Sequence, residues 1–165
     1  MSDILCVYYS RTGNTRRAIK EIAAELDAEV VAISDEQNRD GWRGYMKCGM
    51  DAMRRSTHPL RPFTTEKPIE EYKIVIIGTP VWAGRCASPI RGFLKRRGLE
   101  ITKAAYVLTR DGNRRCEAVY EQMDHYIAGK KHLFAVSLQP NSQGYSFWQS
   151  QFIGDVQRYM DQENA

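Results

Sequence analysis

No run of apolar residues in this 165-residue chain approaches the roughly 20 needed to cross a bilayer as a helix. No basic stretch followed by an apolar one opens it. Ile4 begins a strand-like run almost at once, so no secretory leader is expected and a cytoplasmic location is. Cysteine is sparse: Cys6, Cys48, Cys86 and Cys116 are dispersed and form no CxxC pair. A zinc knuckle and a redox dithiol are thereby disfavoured, no metal site is expected, and a reducing compartment fits. Cys6 falls inside an apolar run and reads as a small core residue, and Cys86 reads as buried packing too. Histidine is scarcer still. His125 and His132 sit in helix- and strand-like patterns and read as structural, so no His–Asp or Cys–His constellation is visible and no catalytic side chain is assigned. Two nucleotide motifs are missing: neither GxxxxGK[ST] nor GxGxxG occurs. Nor is there an RRM, KH or zinc-finger signature, so nucleic acid is not an expected partner despite a net charge of +4.

What is present is a strand–loop–helix unit repeated along the chain. The apolar run Ile4-Leu5-Cys6-Val7-Tyr8-Tyr9 leads into Ser10-Arg11-Thr12-Gly13-Asn14-Thr15 and then a helical pattern from Arg16 to Leu26. A short hydroxyl-rich loop before a helix can wrap an anion with backbone N–H groups while the helix N-terminus faces its charge. The same residues are equally those of a well-capped helix start, with Asn14 or Thr15 as the N-cap. The second unit is Lys73-Ile74-Val75-Ile76-Ile77-Gly78, a near-continuous apolar run expected of a buried parallel strand. It passes through Thr79-Pro80-Val81-Trp82-Ala83-Gly84 to a helix over Ile90 to Arg97, with Pro89 at its first turn. Trp82 can offer a π-face to a flat ligand, and Gly84 can let main chain approach a ring edge. The third unit is Tyr106-Val107-Leu108-Thr109 followed by Arg110-Asp111-Gly112-Asn113 and a helical pattern over Cys116 to Met123. Loops at the carboxyl ends of parallel strands line the edge where open α/β sheets bind ligands.

In order and spacing, YSRTGNT, GTPVWAGRCASPIRGFL and LTRDGN resemble the three FMN-contacting loops of the flavodoxin-like superfamily. The resemblance covers nearly the whole chain. It implies an α/β fold, a doubly wound five-stranded parallel sheet of order 2-1-3-4-5 with helices on both faces, in a single domain over residues 1–165. It also implies FMN as cofactor. By position, Ser10, Thr12, Gly13, Asn14 and Thr15 would hold the phosphate, with Arg11 beside them. Pro80, Val81, Trp82, Ala83 and Gly84 would contact the isoalloxazine, and Thr109, Arg110, Asp111, Gly112 and Asn113 would cover its other side. Arg11 and Arg110 depart from the family pattern, Arg11 being expected to face solvent. The second stacking partner is left to Trp42 or Tyr45.

The function implied is electron or hydride transfer through bound FMN, as a carrier or as an NAD(P)H oxidoreductase. The alternative is a non-redox module that uses the pocket for another phosphate ligand or a protein. Electron-shuttling flavodoxins are commonly acidic, whereas this chain is basic, with clusters at Arg54-Arg55 and Lys95-Arg96-Arg97 expected to flank the pocket. NAD(P)H or an acidic redox protein is the partner that charge favours. Glu29 to Ile33 reads as the second strand and His132 to Leu138 as the fifth. Phe147 to Met160 reads as a closing helix whose aromatics, Phe147 and Trp148 included, are expected in the core. Between strands two and three, Gly41 to Arg55 reads as a helix and residues 56–68 as irregular chain. That chain either runs over the surface or brings His58 or Arg61 to the pocket.

Overall fold

A computed structural model describes residues 1–165. Its strands are β1 (Ile4–Tyr8), β2 (Glu29–Ala32), β3 (Ile74–Trp82), β4 (Arg85–Cys86), β5 (Ala104–Thr109) and β6 (Phe134–Leu138). The helices are α1 (Asn14–Leu26), α2 (Gly41–Arg54), α3 (Ser88–Arg97), α4 (Ala118–Asp124) and α5 (Tyr145–Glu163). The sheet order is β2-β1-β3-β5-β6, all parallel, and β4 is a short antiparallel addition to the end of β3. With β4 set aside, this is the 2-1-3-4-5 order of a doubly wound sheet.

Side chains on a strand alternate between faces, and both faces here are covered. Leu5, Val7, Val75, Ile77, Tyr106 and Leu108 meet Ile90, Phe93 and Leu94 of α3 and Val119 and Met123 of α4. Ile4, Cys6, Ile74, Ile76, Ala105 and Val107 meet Ala18, Ile19 and Ile22 of α1 and Phe152 and Val156 of α5. That two-sided burial is why β1, β3 and β5 are written as continuous apolar runs. Each Ile or Leu so buried contributes about 1.5–3 kcal/mol. Where α1 crosses β3 the fit leaves no room for a side chain: a Cβ on Gly78 would lie 2.5 Å from Ile19 Cγ1.

Two expectations need correcting. Neither Asn14 nor Thr15 caps α1; Gly13 does, with φ of 101°. A positive φ there is a conformation that only glycine adopts without strain. In α5, Phe152, Val156 and Met160 enter the core, but Phe147 and Trp148 stay exposed on its first turn. Arg115 lies over the Trp148 ring, 4.6 Å from its centroid.

The crossover from β2 to β3 is where the fold departs most from simple winding. α2 touches the end of β3, β4 and α3, so it lies across the carboxyl edge. The stretch 56–68 covers the sheet face instead, with Leu60 and Phe63 packed on the core. Leu60 also bridges to Asp35, and Arg61 N–H donates to Ser34 O at 2.9 Å.

Candidate functional site

The loops after β1, β3 and β5 open onto one cavity of about 350 Å3 at the carboxyl edge. Ser10, Arg11, Thr12, Asn14 and Thr15 form one wall. Pro80, Val81, Trp82 and Ala83 form another, and Thr109, Arg110 and Asp111 a third. Gly13, Gly84, Gly112 and Asn113 are not among the lining residues, and three of them act on the backbone instead. Gly13 gives α1 its turn of entry. Gly84, with φ of 73° after Ala83 at 49°, closes the two-residue hairpin between β3 and β4, as a type I′ turn requires. Gly112 O accepts a 2.6 Å hydrogen bond from Arg110 Nη1.

The first loop turns a set of backbone donors toward the cavity. The first helical bond of α1 is Arg17 N–H to Gly13 O at 2.9 Å. The amides of Asn14, Thr15 and Arg16 precede it and point out of the helix end. Ser10 Oγ accepts from Gly13 N–H at 3.0 Å and keeps its own hydroxyl proton to donate. Thr15 is different from expectation. It is 1% exposed, and its hydroxyl is bonded to that of Thr109 at 2.7 Å, so it ties the first loop to the third. Arg11 does not face solvent freely either. Its Nε donates to Arg39 O and its Nη2 to Gly41 O, each at 2.9 Å, which pins the first loop to the start of α2. Arg110 folds back likewise, its Nε donating to Ser137 Oγ at 2.9 Å.

Trp82 is half-buried at the end of β3. Its ring meets Tyr9 edge-on, with centroids 5.4 Å apart and planes at 86°. The Arg39 guanidinium lies over it at 5.0 Å. Arg39 is itself 4% exposed and is gripped by Asp35 Oδ2 at 2.7 Å and Asp51 Oδ2 at 3.0 Å. Burial works against its charge, but the hydrogen bond and charge of Asp35, helped by Cys48 and Asp51, outweigh that and raise its pKa. Tyr9 beside it is pushed up to about 12, chiefly by burial.

A further wall belongs to α2, of which the sequence pointed only to Tyr45, as a stacking candidate. Tyr45, Met46, Cys48, Gly49, Met50 and Met53 all line the cavity. Their helical spacing was visible, but the spacing alone gives no sign that α2 lies over the sheet edge. Of the two stacking candidates, Tyr45 is at the cavity and Trp42 is not, Trp42 being 75% exposed. His58 does not reach the cavity; its Nε2 is 3.3 Å from Asp51 Oδ2. Cys86 is buried, and burial lifts its thiol to about 11. Cys48 is raised as well, again by burial first. Neither is a thiolate nucleophile near neutral pH. His132 stays structural, hydrogen-bonded to Asp124, which also accepts from Tyr106.

The Lys95-Arg96-Arg97 cluster does not flank the cavity. It ends α3, which leaves the carboxyl edge at Ser88 and runs back for about 15 Å at 1.5 Å per residue, and Arg97 pairs there with Glu100.

The walls thus combine unpaired amides and Arg side chains, one carboxylate at Asp111, and an apolar side made by Trp82, Tyr45 and the methionines. Such a cavity suits a ligand with an anionic group and a flat apolar body, and its size is that of small-ligand sites. No sequence-family model matches the chain, and no curated protein matches it in sequence. Solved structures do. A flavoprotein from Lactobacillus acidophilus NCFM, in complex with FMN, superposes with a TM-score of 0.68 at 19% identity, over 90% of this chain and 99% of that one. A flavodoxin, WrbA-like protein from Agrobacterium tumefaciens gives 0.57 at 13% identity, over 96% and 99%. Two-electron reduced flavodoxin from Megasphaera elsdenii gives 0.52 at 14%, over 91% and 97%. The chain therefore has the flavodoxin-like fold.

Proposed function

We propose that this chain, acting as one domain, binds FMN in the carboxyl-edge cavity and transfers electrons or hydride through it. The observation that carries the reading is the meeting, in one cavity, of the amide cradle at the start of α1 with the aromatic wall at Trp82. An FMN-bound flavoprotein of the same fold supports it. The donor set fits the group. The amides of Asn14, Thr15 and Arg16, with the hydroxyls of Ser10 and Thr12, would hold the phosphate, and the positive end of the α1 dipole faces the same point. Trp82, braced from behind by Arg39, would fix the ring plane, while Tyr45, Met46, Met50 and Met53 keep water from it. Pro80, Val81, Ala83, Thr109, Arg110 and Asp111 complete the walls. When bound, FMN supplies the redox chemistry itself, so the protein needs no nucleophile or general base of its own.

The reductant proposed is NAD(P)H or an acidic redox protein, in keeping with the basic side chains around the cavity. The four cysteines are all free, as a reducing compartment such as the cytoplasm requires. No helix is long and apolar enough to cross a membrane. Calorimetric titration of the apo-protein with FMN and with riboflavin tests the reading. Tight FMN binding and much weaker riboflavin binding are expected, because the cradle has no target on riboflavin. Equal affinities would remove the phosphate assignment. Anaerobic mixing of the FMN form with NADH or NADPH then separates a reductase from a carrier.

A further inference from the structure

Beyond the Ala83–Gly84 turn lies a second hollow, of about 280 Å3. Arg55, Arg85, Arg91 and His125 border it, with Cys86 and Gln122 between them, and no carboxylate does. The arginines that form ion pairs in this chain are Arg17, Arg39, Arg97 and Arg158, none of which is here. Arg91 is 3% exposed. Its guanidinium donates to two backbone carbonyls, Cys86 O at 3.1 Å and Ser56 O at 3.4 Å, neither of which carries a compensating charge. A buried cation without a counter-ion is costly to desolvate. The charges of Arg91 and Arg85 are both felt at the Cys86 thiol on the hollow's wall, where they work against the effect of burial.

We propose that this hollow is a phosphate-binding site. Arg55 and Arg85 supply planar forks that match two phosphate oxygens each, and Arg91 supplies a fixed positive charge at its base. The inference goes beyond the FMN reading and does not depend on it. Arg85 is the cross-strand partner of Trp82. Opposed residues on such a rung lie about 4.5–5.5 Å apart at Cα, so a phosphate held here stands next to the cavity wall. The phosphate belongs either to a nucleotide whose remainder reaches toward the cavity or to free inorganic phosphate.

The test titrates inorganic phosphate at constant ionic strength into the protein as purified and into the FMN-saturated protein. Calorimetry gives the affinity, and the His125 imidazole resonances locate the binding. Saturable binding that moves His125 is expected in both forms. Loss of two charge-assisted contacts in the Arg55→Gln/Arg85→Gln variant should weaken it at least about tenfold. Arg85→Lys, which keeps the charge and loses the fork, should weaken it less. Arg55 is exposed and Arg85 half-buried, and circular dichroism checks that the variants fold. Adenosine 2′,5′-bisphosphate binding more tightly than inorganic phosphate would identify a nucleotide source, and equal binding would identify the free anion. An adventitious response, with chloride moving His125 as phosphate does or with the double variant unchanged, would overturn the site. Failure of FMN to bind is read separately from the FMN titration and leaves this result standing.

Discussion

Replacing Arg39 with methionine should cost this protein a large share of its stability. Arg39 stands just before α2, Asp35 follows β2, and Asp51 lies on α2, so one guanidinium joins segments that share no ladder. Its side chain is 3% exposed, and those of Asp35 and Asp51 are 2% and 10% exposed. Nη2 meets Asp35 Oδ2 at 2.7 Å, Nε meets Asp35 Oδ1 at 3.3 Å, and Nη1 meets Asp51 Oδ2 at 3.0 Å. Methionine fills much of the volume but leaves two carboxylates buried without their cation. Removing one partner of a buried pair typically costs about 3–5 kcal/mol, against a total stability of about 5–15 kcal/mol. With a urea slope of about 2 kcal/mol/M, the midpoint should fall by about 1.5–2.5 M.

Urea unfolding followed by circular dichroism measures this, and tryptophan fluorescence reports whether Trp82 loses its backing. Arg39→Lys should fall between, because an ammonium cannot bridge both carboxylates with a planar fork. Combining Arg39→Met with Asp35→Asn and Asp51→Asn should recover part of the loss, since the uncompensated charge is then gone. A loss below about 1 kcal/mol for Arg39→Met, the scale of an exposed ion pair, would refute the claim that this cluster is shielded from water.

Trp82→Ala should weaken FMN binding by about 1–3 kcal/mol, or roughly 5–150-fold, in an equilibrium titration; an unchanged affinity in a folded variant would take Trp82 out of the binding wall. Gly13→Ala meets open space but a φ of 101°, so thermal unfolding should show a loss of about 1–3 kcal/mol from backbone strain; no loss would mean the loop relaxes freely. Burial lifts Tyr9, Tyr72 and Tyr120 from an ordinary pKa of 10.0 to about 12, so the folded state holds these protons more tightly than the unfolded one. Their contribution to stability is full below pH 10 and is lost as pH rises toward 12. Urea midpoints measured on either side of pH 10 should fall with pH, and a flat profile would count against the buried phenols.

The sheet was legible because its central strands are buried on both faces, and a strand in that position has no choice but to be apolar throughout. The order of β2, β1 and β3 came from the family resemblance of their loops, since periodicity says nothing about which strand lies beside which. The cavity's loop walls were legible for a different reason: a loop after a parallel strand opens at its carboxyl edge. The roles within those loops were less so. Thr15 and Ser10 look alike in sequence, yet Thr15 points back to Thr109 while Ser10 accepts from Gly13 N–H and keeps its hydroxyl proton for the cavity, and only the twist of the helix entry decides that. Of the α2 wall, only Tyr45 was named from the sequence. Tyr45, Met46, Met50 and Met53 repeat as any amphipathic helix does. What places them over the site is the Asp35–Arg39–Asp51 cluster, in which Arg39 reaches Asp51 twelve positions on, and the Arg11 contacts to Arg39 O and Gly41 O, which span 28 and 30 positions.

Positive charge is the last feature whose meaning changes with the fold. Read along the chain, the basic clusters look alike. In the structure, Lys73 and Lys67 face Asp3, and Arg97 faces Glu100, all at the amino edge, where their fields are partly cancelled. At the carboxyl edge, Arg11 and Arg110 line the cavity, and Arg55, Arg85 and Arg91 ring the neighbouring hollow without a carboxylate among its walls. A modest net charge therefore understates the field that an approaching anion meets, because attraction over a screening length of about 8–10 Å is set by the nearest side chains and not by the sum over the chain. That local field at the carboxyl edge is the physical support for the anionic electron donor proposed above.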